Sequence, residues 1–160
     1  GLTMGMQPIV GYNFGAQKID RVKQTLKLGI VSGVVITSSG FFICELFPHA
    51  VSAIFTDSDH LIDLAVDGLR ITVIMFPFVG AQIVIGNFFQ SIGKAKISIF
   101  LSLTRQLLYL LPCLLLFPNW WGLKGIWISM PVSDALAFIT AVVSLIIYIK
   151  KVSKQHLIAE

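Results

Sequence analysis

Apolar residues gather in four long blocks, at 28–47, 71–93, 97–117 and 125–149, joined by short polar connectors. A helix rises about 1.5 Å per residue, so each block is long enough to cross a hydrocarbon core of about 30 Å. The blocks do not alternate apolar with polar, as the roughly ten-residue strands of a membrane barrel would. Lipid offers the backbone no hydrogen-bond partners, so helices are the remaining solution. The pattern therefore predicts an all-α, polytopic membrane bundle with four complete transmembrane helices. Ahead of them, 1–17 is apolar and glycine-rich but too short to span, and it reads as the end of a truncated transmembrane helix. The remainder divides into a basic loop at 18–27, a four-helix unit at 28–151 and a tail at 152–160.

Proline and small residues punctuate this frame. Pro48 ends the first span, and Pro77, Pro112 and Pro131 fall inside the next three, where each removes a backbone hydrogen bond and predicts a kink. Gly29 and Gly33 have the four-residue spacing that lets helices touch backbone to backbone. Between the first two spans, 49–67 predicts a short surface helix in two parts, the second starting near Asp57 and Ser58. Trp120, Trp121 and Trp127 predict an anchoring belt at the membrane–water interface.

Charge then orients the frame. Only 12% of the chain is charged and 56% is hydrophobic, against roughly 25% charged in soluble domains. Nine cations (Lys18, Arg21, Lys23, Lys27, Lys94, Lys96, Lys150, Lys151 and Lys154) fall on alternate connectors and the tail. The other side carries Arg70, Lys124 and the aspartates Asp57, Asp59, Asp63 and Asp67, read as a solvated face. Excess Lys and Arg marks the cytoplasmic side, so the loop 18–27 and the C-terminus are predicted cytoplasmic, in a multi-pass protein of the plasma (inner) membrane. The net charge of +4 is accounted for by these loops facing anionic lipid, and it gives no reason to expect nucleic acid. Cys44 and Cys113 read as buried thiols. His49, His60 and His156 lie at or beyond helix ends, and no cluster has the spacing of a metal site or catalytic triad, so neither an enzyme nor a cofactor is expected. The first residue is not Met and no signal peptide follows it, so the chain is read as a fragment.

Ionisable side chains within the bilayer are costly and are the first candidates for function. Glu45 lies near the outer end of its span. Arg105 is about 12 Å from one edge of its span and Asp134 about 13.5 Å from the opposite edge, at about 1.5 Å per residue. In a core of about 30 Å their levels differ by only about 4 Å, which predicts an ion pair between neighbouring helices. Ser98, Ser102, Arg105, Tyr109 and Pro112 follow a helical stripe, as do Asp134, Ala137, Ala141, Ser144 and Tyr148, so both faces are expected to meet protein or a cavity. On the second span Gln82, Gly86, Gln90 and Gly93 form a further stripe, with Asn87 beside it.

Four segments carry a resemblance: QPIVGYNFGAQ (residues 7–17), FFQSIGKAK (88–96), TRQLLYLLP (104–112) and GLKGIWISMPVSD (122–134). In order and spacing they resemble the eighth to twelfth helices of multidrug and toxin extrusion transporters, in the branch of staphylococcal-type exporters. The resemblance runs from residue 1 to about residue 151. It implies part of the C-terminal lobe of a two-lobed, twelve-helix antiporter that exchanges Na⁺ or H⁺ for organic, often cationic compounds by alternating access. The implied partners are the lipid bilayer, an N-terminal lobe of the same protein and small-molecule organic cargo, and the coupling ion is transported rather than a resident cofactor. Some branches hold a cation on a carboxylate of the tenth helix; 71–93 has none, so a coupling carboxylate is expected at Asp134 or in the other lobe.

The candidate cavity residues are Gln82, Asn87, Gln90, Arg105, Gln106, Tyr109 and Asp134. Phe76, Phe78 and Tyr109 could receive a cationic aromatic compound by cation–π contact. Two rivals stand beside this reading. A lipid-linked saccharide flippase would be expected to place several cations in its cavity, where only Arg105 qualifies; a non-transporting membrane subunit would need none of these residues for transport.

Overall fold

The computed structural model describes the backbone of residues 1–158 and the side chains of 1–152, so the Lys154 and His156 side chains lie outside the described residues. Every element among the described residues is helical. Helix α1 (Leu2–Gly15) ends at a corner where Gln17 adopts φ 56°, and α2 (Ile19–Leu46) begins at once. The stretch expected as a loop at 18–27 is therefore mostly the first turns of α2. Lys and Arg are good helix formers, and Val22 and Leu26, one turn apart and buried, anchor these turns while Arg21, Lys23 and Lys27 point outward.

After α2 the short α3 (Pro48–Ala53) has Pro48 in its first turn, where no N–H is needed. The second half of the expected surface helix does start beside Ser58, but α4 (Asp59–Val73) runs on into the second apolar block. All four aspartates on this stretch are exposed, as expected. The helix then stops at Ile74–Met75 and resumes as α5 (Phe76–Ser91), bent by 51°. The kink expected at Pro77 is thus a broken span, with the proline in the first turn of the new helix. Thr72 contributes, because its Oγ1 donates to the Gly68 and Leu69 carbonyls at 3.0 Å each and competes with the ladder.

The last two blocks form one hairpin. It comprises α6 (Ala95–Leu103), a π-helical segment (Thr104–Leu110) and α7 (Leu111–Ile158). The stretch Ala95–Val152 holds 58 residues, about 87 Å if straight at about 1.5 Å each. At Gly122, with φ 55° and ψ −135°, it turns back on itself, so it supplies two arms. Close to this corner the arms meet backbone to backbone, since a methyl group on Gly125 would overlap the Phe117 carbonyl. The π segment ends just before Pro112, whose missing N–H and bulky ring disfavour an ordinary α turn there. Pro131 stays within continuous helix.

Two glycine contacts organise the packing. A Cβ on Gly33 would lie 3.1 Å from the Gly80 carbonyl oxygen, and one on Gly80 would overlap Gly33 and the Thr37 hydroxyl. This realises the close approach expected from Gly29 and Gly33, against α5. Near the basic end Met6, Val10, Leu26, Ile85, Phe89 and Leu145 share a core that ties α1, α2, α5 and α7 together. Trp120 and Trp121 are exposed beside the corner, as an interfacial belt requires. Trp127 is half-buried, and its indole lies on Gly68 of α4, where a Cβ would come within 2.7 Å. Cys44 and Cys113 are half-buried free thiols rather than buried ones.

Candidate functional site

The hairpin brings its two intramembrane charges together. Arg105 Nε donates to Asp134 Oδ1 at 2.8 Å. The pair is asymmetric, because the Asp134 side chain is 9% exposed and that of Arg105 is 35% exposed. Asp134 is held among small, buried neighbours, with Ser133 and Ala137 on its own helix. Arg105 keeps one flank open, so the carboxylate is reached chiefly by way of the guanidinium. A second cross-link joins the arms, Tyr109 Oη to Thr140 Oγ1 at 2.8 Å. Thr140 Oγ1 also donates to the Leu136 carbonyl, so the Tyr109 hydroxyl supplies the proton of the cross-link.

Both Arg105 and Tyr109 lie in the π segment, and this changes the expected stripe. Ser102 and Pro112 are exposed, whereas Arg105, Tyr109, Cys113 and Phe117 are partly buried, a step of four throughout. Three steps of four overshoot three α turns by about 120°, and one extra residue in a π turn takes back about 100°. The widened turn thus keeps both halves of this arm facing α7. The partner stripe, in ordinary α-helix, holds as expected: Asp134, Ala137 and Ala141 are buried, and Ser144 and Tyr148 are half-buried.

The amides of α5 do not join this pair. Phe78 packs at a tilt against Phe138 and Phe88 edge-on against Tyr148, with ring centroids 5.2 and 6.4 Å apart. Both contacts share an offset of 60 positions, which sets Asp134 level with Ile74 at the broken span. Gln82 then lies eight residues, about 12 Å, nearer the basic end. It is buried, and its Oε1 has no hydrogen-bond partner. Gly86, one turn on, has open space where a side chain would stand. Asn87 donates to the Ile83 carbonyl at 2.9 Å and accepts nothing from another helix. Gln90 and Gln106 are exposed. Phe78 is committed to Phe138, while Phe76 is partly exposed at the start of α5. The candidate residues therefore form two groups, a charged one at the hairpin and an amide one on α5.

Sequence reasoning missed two features here. Thr140 as the partner of Tyr109 was legible only as a hydroxyl one turn from Ala137, within reach of the other arm. Arg70 Nε approaches Glu45 Oε1 at 3.9 Å near the acidic end, with both side chains more than two-fifths exposed. No cluster that could hold a metal ion occurs among the described residues.

The geometry has counterparts. The family model described as MatE matches residues 1–115. A multidrug export protein, MepA, of Staphylococcus aureus (strain MSSA476) is 25% identical over 150 residues, covering 93% of this chain and 32% of that protein. The chain thus spans about a third of the length of the curated relatives it matches. Among solved structures, an inward-facing conformation of a multidrug resistance MATE family transporter of the MOP superfamily superposes with a TM-score of 0.88 at 19% identity. It covers 95% of this chain and 36% of that one. An outward-facing conformation gives the same TM-score and identity, covering 95% and 35%.

Proposed function

Because this chain belongs to the MatE family and is a membrane protein, we propose that it forms part of the C-terminal lobe of a secondary multidrug exporter. The whole protein would exchange Na⁺ or H⁺ for organic, often cationic compounds by alternating access, with no covalent chemistry. The observation that carries this reading is the equal likeness, TM-score 0.88, to an inward-facing and an outward-facing transporter. A unit that resembles both states equally is suited to move as one body against a second lobe.

Within that body the Arg105–Asp134 pair supplies the chemistry coupling needs. A coupling cation or proton and the guanidinium compete for one carboxylate, so occupancy of Asp134 by the ion would free Arg105 and change the open flank of the hairpin. Gln82, Gln90 and Asn87 would line the cargo side of α5. The basic connectors argue for a cytoplasmic C-terminus in the plasma membrane.

The test is efflux of a fluorescent cationic dye from cells or vesicles holding the full-length protein, in Na⁺ and Na⁺-free buffer across pH. Dye export that follows one of the two ion gradients is expected. Absence of any gradient-dependent dye movement would overturn the exporter reading.

A further inference from the structure

We propose that the space between α6 and the end of α7 is a binding site for an anionic phospholipid. The arms of the hairpin are in contact from the π segment to the Gly122 corner and part toward the basic end. The gap is a cavity of about 1070 Å³, at the upper end for sites that enclose a whole small molecule. The end of α1 and the corner between α5 and α6 close its third side, through Phe14 and Ile92.

The lining is graded along the membrane normal. Lys94 and Lys151, one from each arm, stand at the basic end. Below Lys94 come Ile97 and Phe100 at steps of three, and below Lys151 comes Ile147 at a step of four, so each arm carries an ammonium group above an apolar strip. Phe100 and Ile147 are 56% and 62% exposed, leaving that strip uncovered. Tyr148 forms the back wall, its ring held edge-on by Phe89 at 5.5 Å.

Among the described residues, no carboxylate lines the cavity. A cationic cargo of the kind proposed above would meet two ammonium groups and no counter-charge, so this is not a second cargo site. A phosphodiester headgroup on an acyl chain satisfies both halves at once: the phosphate meets the lysines where headgroups lie, and the chain follows Phe100 and Ile147 toward the membrane centre. The proposal does not depend on the transport activity.

The experiment uses purified full-length protein and dioleoyl-phosphatidylglycerol, with dioleoyl-phosphatidylcholine and inorganic phosphate as comparison probes, binding being read by native mass spectrometry. The double variant Lys94→Gln/Lys151→Gln should weaken phosphatidylglycerol binding at least tenfold. Arg21→Gln/Lys27→Gln, which removes equal charge from the same end but outside the cavity, should change it less than twofold. Equal loss in both variants, no loss in either, no preference over phosphatidylcholine, or equal protection by phosphate alone would each overturn the assignment. Should the double variant not fold, a photoreactive phosphatidylglycerol decides on the natural protein: labelling is expected within 94–100 and 144–151, and labelling confined elsewhere overturns the site.

Discussion

The seam between α2 and α5 and the seam between the two arms of the hairpin solve the same problem in opposite ways. At the first, glycines bring backbones into direct contact, with Gly29 and Gly33 facing Val84 and Gly80 and no hydrogen bond between side chains across it. Lipid provides no hydrophobic push between helices, so this seam relies on shape. At the second, Arg105–Asp134 and Tyr109–Thr140 cross a gap that a π segment has re-aimed, and the arms part beyond it. Shape without polar partners has one good arrangement. Polar partners with an open flank have alternatives, because each hydrogen bond can be exchanged for an ion or cargo. The contrast divides the molecule into a fixed spine and an adaptable edge.

The sharpest way to break this comparison is to thicken the spine. Gly80→Leu should cost about 3 kcal/mol or more, since backbone cannot yield as a flexible side chain would. In thermal melts of the full-length protein this appears as loss of the folded species; a variant that melts like the natural protein would mean the seam can open. Next comes the charged cross-link. Asp134→Asn should weaken the hairpin by about 1–2 kcal/mol, the range of polar contacts between membrane helices. The exchange Arg105→Asp with Asp134→Arg should recover at least half of that, and an exchange no better than either single variant would refute direct pairing. Smallest is the neutral cross-link: Tyr109→Phe should cost about 0.6 kcal/mol. Thr140→Val should add little to Tyr109→Phe, because both remove one bond; full additivity in a double-mutant cycle would separate the two hydroxyls.

How much of this was legible in the sequence follows from what each inference rested on. The Arg105–Asp134 pair could be read because depth is a count of residues times a constant rise, measured from connectors that charge makes visible. Gly29 and Gly33 could be read because small residues at one-turn spacing mean close approach in lipid. The break at Ile74–Met75 could not, since apolar residues continue through it and Pro77 looks the same inside a kinked helix as at the start of a new one. The helical start at Ile19 was hidden by treating charge as a loop signal, though Val22 and Leu26 kept helical spacing. Trp127 was assigned to the interface from residue type, and its seat on Gly68 depends on a helix sixty residues away. The separation of Gln82 from Asp134 needed the register between α5 and α7, which only the aromatic contacts supply.

The π segment has a consequence for how such a chain can vary. It is a one-residue surplus inside a single turn, so losing one codon between 106 and 108 would let the arm revert to plain α geometry. Composition, charge and hydropathy would barely change, and every remaining amino acid would keep its type. Everything before the lost residue would keep its direction relative to everything after it, because the widened turn already absorbs the rotation of about 100° that its extra residue adds, so Arg105 and Phe117 would both still face the other arm. At this point the chain tolerates a change of length, and relatives one residue shorter here, if aligned without a gap, would pair side chains that look in different directions.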